Sequence, residues 1–139
     1  MFVCTGNICR SAMAEVIFKD MVSDVDVSSS GISTFSGQSA TYEAIEVCRK
    51  HGLDLTGHRS TYVRDSNIEE MDLVLTATDY HSQFLRSSYP DLNIQTIKEC
   101  AEYDDVDIAD PYGCSLNVYE NCFLEIKEAL EKIVEIKDF

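Results

Sequence analysis

The chain has 139 residues, 45% of them hydrophobic and 26% charged, which is the composition of one ordinary globular domain able to bury its own core. A formal net charge of −14 argues against nucleic acid or an anionic membrane surface as partner, because both require a basic face. No apolar run approaches the roughly 20 residues that span a bilayer, and the opening Met1-Phe2-Val3-Cys4-Thr5-Gly6-Asn7 lacks the basic flank and apolar stretch of a signal peptide. A cytoplasmic location is therefore expected, and with it six reduced cysteines rather than a disulfide framework. The cysteines form no paired CxxC knuckles, so their spacing supports no tetrahedral zinc site and no metal is expected.

In chain order, Phe2-Val3-Cys4 has the pattern of the end of a buried strand. It is short for a central strand, so either the strand or the start of the chain is truncated. After the turn Thr5-Gly6-Asn7, apolar Met13, Val16, Ile17 and Met21 recur at helical spacing and predict a helix over Ser11 to Val22. Val25-Asp26-Val27 predicts a second short strand, and Ser28 to Gly37 a polar loop carrying Phe35. Ser39 or Thr41 caps a helix running to Arg49, which His51-Gly52 ends.

Asp72 to Ala77 is the clearest buried strand, followed by a helix from Tyr80 to Ser87 that stops before Pro90. Ile94 to Ile97 predicts a further strand, and Ser115 to Ile136 a long amphipathic helix with Val118, Cys122, Ile126, Leu130 and Ile133 on one face. Alternating strands and helices predict right-handed crossovers and an α/β domain with a parallel sheet, whose ligands bind at the carboxyl ends of the strands.

The segment that carries chemistry is Cys4-Thr5-Gly6-Asn7-Ile8-Cys9-Arg10-Ser11, a cysteine and an arginine separated by five residues at a strand-to-helix junction. Successive N–H groups around such a loop, with the first turn of the following helix, form a nest for a dianion. Gly6 permits close approach, and Asn7 tolerates a left-handed backbone. Arg10 can fork two N–H donors onto two phosphate oxygens. The same amide dipoles favour the anionic, nucleophilic form of the Cys4 sulfur, toward which Ser11 can donate its hydroxyl.

This stretch, with Met13-Ala14-Glu15 after it, closely resembles the signature of the low-molecular-weight protein tyrosine phosphatases. The likeness runs through Ser29, His51-Gly52 followed by His58, the strand Asp72-Leu73-Val74-Leu75-Thr76, and Asp110-Pro111-Tyr112-Gly113, in the family's order. It implies a single flavodoxin-like domain over residues 1–139, with a four-stranded parallel sheet and helices on both faces. It implies Cys4 as nucleophile, Arg10 on the equatorial oxygens, and Asp110 as general acid and then base for the hydrolytic water. Asn7, Ser29 and His58 would brace the loop, and Phe35 and Tyr112 would wall the pocket. Cys9 would form a reversible disulfide with the nucleophile under oxidation. The resemblance implies no cofactor, and a monomer with a phosphorylated protein as its only partner is expected.

Ala12 stands where the family usually has proline after the loop serine, a dispensable helix-start preference. The bacterial branch that this chain resembles includes protein-arginine phosphatases, which commonly carry threonine where Ile8 stands here. An isoleucine cannot hydrogen-bond a guanidinium or orient water toward it, so phosphotyrosine is the expected substrate and phosphoarginine the alternative. Arsenate reduction would need a closely spaced cysteine pair between His58 and Cys100, which is absent. A non-catalytic phosphoprotein-binding module would be expected to lack either Cys4 or Asp110.

Overall fold

Successive side chains of a strand face opposite sides of a sheet, and Phe2, Val3 and Cys4 are apolar on both, so this segment must be covered on both faces. A computed structural model describes residues 1–139 and shows that arrangement. Strands β1 (Phe2–Cys4), β2 (Ser29–Gly31), β3 (Val74–Thr76) and β4 (Ile94–Thr96) form one sheet in the order β2-β1-β3-β4, every pair parallel. This is the expected flavodoxin-like topology. The order reverses at β1, which opens a crevice beyond its carboxyl end.

Helices α1 (Arg10–Met21), α2 (Tyr42–Lys50), α3 (Asp79–Ser88), α4 (Ile97–Cys100) and α5 (Leu116–Ile136) complete the fold. Phe2 and Leu75 point into the larger core beneath α1, α2, α4 and α5. Their neighbours Val3 and Val74 point the other way, onto Val63, Ile68 and Leu85 from two 3₁₀ turns and α3. No helix is long and apolar enough to cross a membrane. All six cysteines are free thiols.

Several predicted elements move. Val25 to Val27 is irregular, and the second strand is Ser29–Gly31, inside the stretch expected to be loop. Its serines are small, buried and hydrogen-bonded: Ser29 donates to Glu15 Oε1 at 2.6 Å, and Ser30 donates to Met1 Sδ at 3.3 Å. A strand whose core-facing polar groups are all satisfied has the composition of a turn. The short first strand is also unexceptional, because all four strands are 3 residues long.

The strand expected over Asp72 to Ala77 narrows to Val74–Thr76, and that over Ile94 to Ile97 ends at Thr96, where α4 begins. Thr96 accepts the Glu99 N–H while Glu99 accepts the Thr96 N–H, a reciprocal cap that converts the end of the strand into a helix start. Of the two candidates for capping α2, Thr41 does so, accepting from Ala44 N–H at 3.2 Å. Gly52, at φ +80°, supplies the left-handed residue after that helix.

In α5 the expected face holds except at Val118, which is exposed. Steps of four drift off a stripe of period 3.6, and Tyr119 and Phe123 fill the buried face instead.

Gly31 is the close approach that sets β2 against β1. A Cβ there would lie 2.6 Å from Thr5 O, 3.0 Å from Thr34 Cγ2 and 3.1 Å from Asn7 N. Backbone on two sides cannot yield cheaply, so Gly31→Ala is expected to destabilise the protein by about 1–3 kcal/mol in denaturant unfolding. A stability equal to wild type would show that this approach can relax.

Candidate active site

Residues 4–10 carry the chain from the end of β1 to the start of α1. Cys4 and Thr5 carbonyls accept N–H bonds from Ile32 and Ser33, both at 3.0 Å, which tie the floor of the loop to the segment after β2. The N–H groups of Gly6, Asn7, Ile8 and Cys9 donate to no backbone carbonyl of the fold. Cys9, the residue before α1, makes no side-chain cap, and the first turn carries no acidic residue. The positive end of the helix dipole is thus left unneutralised beside the loop.

Cys4 is buried on the floor, with its sulfur 2.9 Å from Ser11 Oγ. Ser11 Oγ accepts from Asn7 Nδ2 at 2.8 Å, and its own proton can point at the sulfur, the other acceptor in reach being Ser30 O at a long 3.5 Å. The other Asn7 Nδ2 proton goes to Ser29 Oγ at 2.9 Å, and Ser29 in turn donates to Glu15. Asn7 Oδ1 accepts from Thr61 N–H at 2.9 Å, and its carbonyl lies 2.6 Å from His58 Nε2. The expected bracing residues Asn7, Ser29 and His58 are therefore brought together, and Glu15, held by Lys19, joins them.

Arg10 is 4% exposed and crosses the mouth of the loop. One terminal nitrogen donates to Ile108 O at 2.8 Å, and the other stands 3.6 Å from Asp110 Oδ2. Its Nε is the one buried side-chain nitrogen or oxygen with no hydrogen-bond partner. The Asp110 side chain is about half exposed, so this ion pair is screened and orients more than it stabilises. Asp110 Oδ1 also accepts the Tyr112 N–H at 3.1 Å, which fixes the turn that presents the carboxylate.

A cleft of about 350 Å³ opens over these groups. Cys4, Thr5, Gly6, Ile8, Cys9 and Arg10 form its floor, and Phe35, Asp110 and Tyr112 stand on its walls. Ser33, Thr34 and Gln38 also line it, supplied by the segment after β2, where the sequence reading singled out Phe35 alone. A slightly larger cleft of about 390 Å³ lies by Met1, Phe18 and Phe139, but it is lined mainly by apolar side chains and holds no cysteine.

Cys9 lies beneath the loop, its sulfur 3.2 Å from Tyr119 Oη and 3.7 Å from Thr41 Oγ1. Burial raises the pKa of this thiol, an effect that the two hydroxyls only partly offset. Sequence patterning also passed over His81, whose Nε2 is 2.8 Å from Thr5 Oγ1. The one local sign of it is the Thr78-x-x-His81 spacing at the start of α3.

The chain that carries this arrangement matches known proteins over nearly its whole length. The family model described as "Low molecular weight phosphotyrosine protein phosphatase" matches residues 1–137. The low molecular weight protein-tyrosine-phosphatase PtpB of Staphylococcus haemolyticus is 38% identical, over 95% of this chain and 94% of that protein. A protein-arginine-phosphatase of Bacillus subtilis is 33% identical, over 97% of this chain and 93% of that one. The solved low molecular weight protein tyrosine phosphatase of T. tengcongensis superposes with a TM-score of 0.90 at 38% identity, covering 98% of this chain and 97% of that one. The match covers nearly the whole chain in sequence and in fold, and this chain belongs to the low molecular weight phosphotyrosine protein phosphatase family, whose members are phosphoric monoester hydrolases.

Proposed function

We propose that residues 1–139 act as one catalytic domain that hydrolyses phosphotyrosine in cytoplasmic proteins through a cysteinyl-phosphate intermediate. The observation that carries this is the pairing of the buried Cys4 sulfur with an arginine whose buried Nε lacks a partner, both at the head of an uncapped helix. Such an array suits a tetrahedral dianion: loop amides and Arg10 take its equatorial oxygens, leaving the phosphorus in line with the sulfur.

Attack by Cys4 forms the S–P bond as the P–O bond to the phenol breaks, and Asp110 gives its proton to the departing oxygen. The resulting carboxylate then takes a proton from water, which attacks phosphorus and returns phosphate and the Cys4 thiolate. Ser11 supports the sulfur in both steps, as nucleophile and as leaving group, through its 2.9 Å contact. Asn7, Ser29 and His58 hold the loop in shape.

For the substrate side chain, Ile8, Phe35 and Tyr112 offer apolar and aromatic surface suited to a flat phenyl ring. Phosphoarginine is the second reading, favoured by the similarity to protein-arginine phosphatases at nearly the same identity. A phosphotyrosyl and a phosphoarginyl peptide, compared by kcat/KM, decide between them. The first should turn over faster, and Ile8→Thr should move the ratio toward the second; a wild-type preference for the phosphoarginyl peptide would overturn the tyrosine assignment.

Rapid-quench mass spectrometry with an aryl phosphate tests the chemistry. Wild type should show a phosphate adduct on Cys4, Cys4→Ser should lose turnover, and Asp110→Asn should lower kcat by roughly 10²–10⁴-fold. Turnover surviving Cys4→Ser would reject the mechanism.

We infer that Cys9, the second cysteine of the loop, resolves oxidised Cys4. A sulfenic acid on Cys4 would condense with the Cys9 thiol, releasing water and leaving a disulfide that an external thiol reduces. Peroxide-treated enzyme should therefore regain activity with dithiothreitol, whereas Cys9→Ser should not. Absence of a Cys4–Cys9 disulfide by mass spectrometry would dismiss this role.

A further inference from the structure

His81 is 2% exposed, yet both of its ring nitrogens are engaged. It is the third residue of α3, and its Nδ1 accepts the Thr78 N–H at 3.2 Å while the Thr78 hydroxyl lies 2.9 Å away. An Nδ1 that accepts puts the ring proton on Nε2, which then donates to Thr5 Oγ1 at 2.8 Å. Burial pushes the imidazole pKa down to about 4, with Arg10 adding to the effect and Asp110 and Asp107 opposing it. The ring is thus neutral at physiological pH, and this tautomer persists.

Helix capping alone does not call for a histidine. The same chain closes α4 with the reciprocal pair Thr96 and Glu99, whose carboxylate performs the cap without a second reach. In α3 the ring adds one, across 76 positions of sequence, to a residue that lines the catalytic cleft. The Asp110 loop docks at the same place: Asp107 Oδ1 accepts the Asp79 N–H at 2.8 Å, and Ile108 donates to Ala77 O at 2.9 Å. The start of α3 and the segment before it thus touch both loops, the one that bears Cys4 through His81 and the one that bears Asp110 through Ala77 and Asp79.

With Nδ1 already accepting and Nε2 donating, His81 cannot receive the Thr5 proton. That proton has to be donated elsewhere. We propose that His81 is a positioning residue which, by donating to Thr5 Oγ1, fixes the Thr5 hydroxyl as a hydrogen-bond donor on the Asp110 side of the cup, where the ester oxygen departs and the attacking water arrives. The inference rests on the phosphatase reading given above. A donor that meets charge developing on oxygen acts on the transition state, so its loss falls on kcat and not on KM.

Two substitutions separate this role from the helix cap. His81→Asn places a carbonyl oxygen near the position of Nδ1 and keeps the Thr78 contact, but it is too short to reach Thr5. His81→Gln extends an amide to the position of Nε2 and can donate again. With phenyl phosphate as substrate, His81→Asn should lose roughly tenfold in kcat with KM nearly unchanged, the equivalent of one transition-state hydrogen bond. Thr5→Val should show the same loss, the double variant should lose no more than either single one, and His81→Gln should recover part of kcat.

The inference is overturned by wild-type kcat in His81→Asn or in Thr5→Val, by losses that multiply in the double variant, or by a folded His81→Gln no better than His81→Asn. Thermal melts establish folding, and Thr5→Val carries the test should His81→Asn not fold. Turnover surviving Cys4→Ser removes the phosphatase reading itself, whereas an inactive Cys4→Ser beside a fully active His81→Asn removes this inference alone.

Discussion

Asn7 is fully buried, holds a left-handed backbone at φ 57°, and has its side-chain amide and its carbonyl all bonded. A non-glycine residue in that conformation costs on the order of 1–3 kcal/mol and persists only where its surroundings over-determine it. Here Ser11, Ser29, and the pair His58 and Thr61 do so from three different stretches of chain. Turning residue 7 left-handed lets the loop curl around Cys4 with its amides uncommitted to the fold. If Asn7 relaxed to an ordinary backbone, the loop would straighten and the sulfur would lose the partner that Ser11 offers. The site's geometry is thus stored in a hydrogen-bond network and not in the loop's own propensities.

The same network explains how a chain with a net charge of −14 can offer a site for a dianion. At separations beyond a Debye length of about 8 Å the repulsion of distant carboxylates is largely screened, whereas donors at contact distance act almost unscreened in a partly buried cup. The donors are concentrated accordingly. α1 begins with no acidic residue in its first turn, Arg10 is buried over the loop, and one of its nitrogens is anchored on a carbonyl 98 positions away. The carboxylate that pairs with Arg10, Asp110, stands 3.6 Å away and stays about half exposed, so it offsets the arginine's charge only weakly.

The sheet serves this arrangement by geometry. β1 is central, so its carboxyl end faces the crevice where the strand order reverses, and β2 is drawn against it at Gly31, where a side chain would strike Thr5 and Asn7. That closeness carries the Ser29 hydroxyl to Asn7 and Glu15. The polar strand and the Cys4 loop are consequently one packing unit, built from residues that look like turn when taken singly.

Sequence alone determined what is local. Residues 4 to 11 are contiguous, so the cysteine, the left-handed asparagine and the arginine could be placed on one strand-loop-helix unit, and the alternation of apolar periods fixed the order of strands and helices. The β2 strand escaped because its buried serines are satisfied by partners elsewhere in the chain, and Val118 because a stripe drawn in steps of four leaves the true helical face. The family resemblance groups His58 with Asn7, but only the tertiary structure decided that Thr61 holds Asn7 as well, that Ile108 holds Arg10, and that His81 reaches Thr5. Those are single hydrogen bonds between residues more than 50 positions apart, and such a contact leaves no period, cap or spacing in the chain from which to infer it.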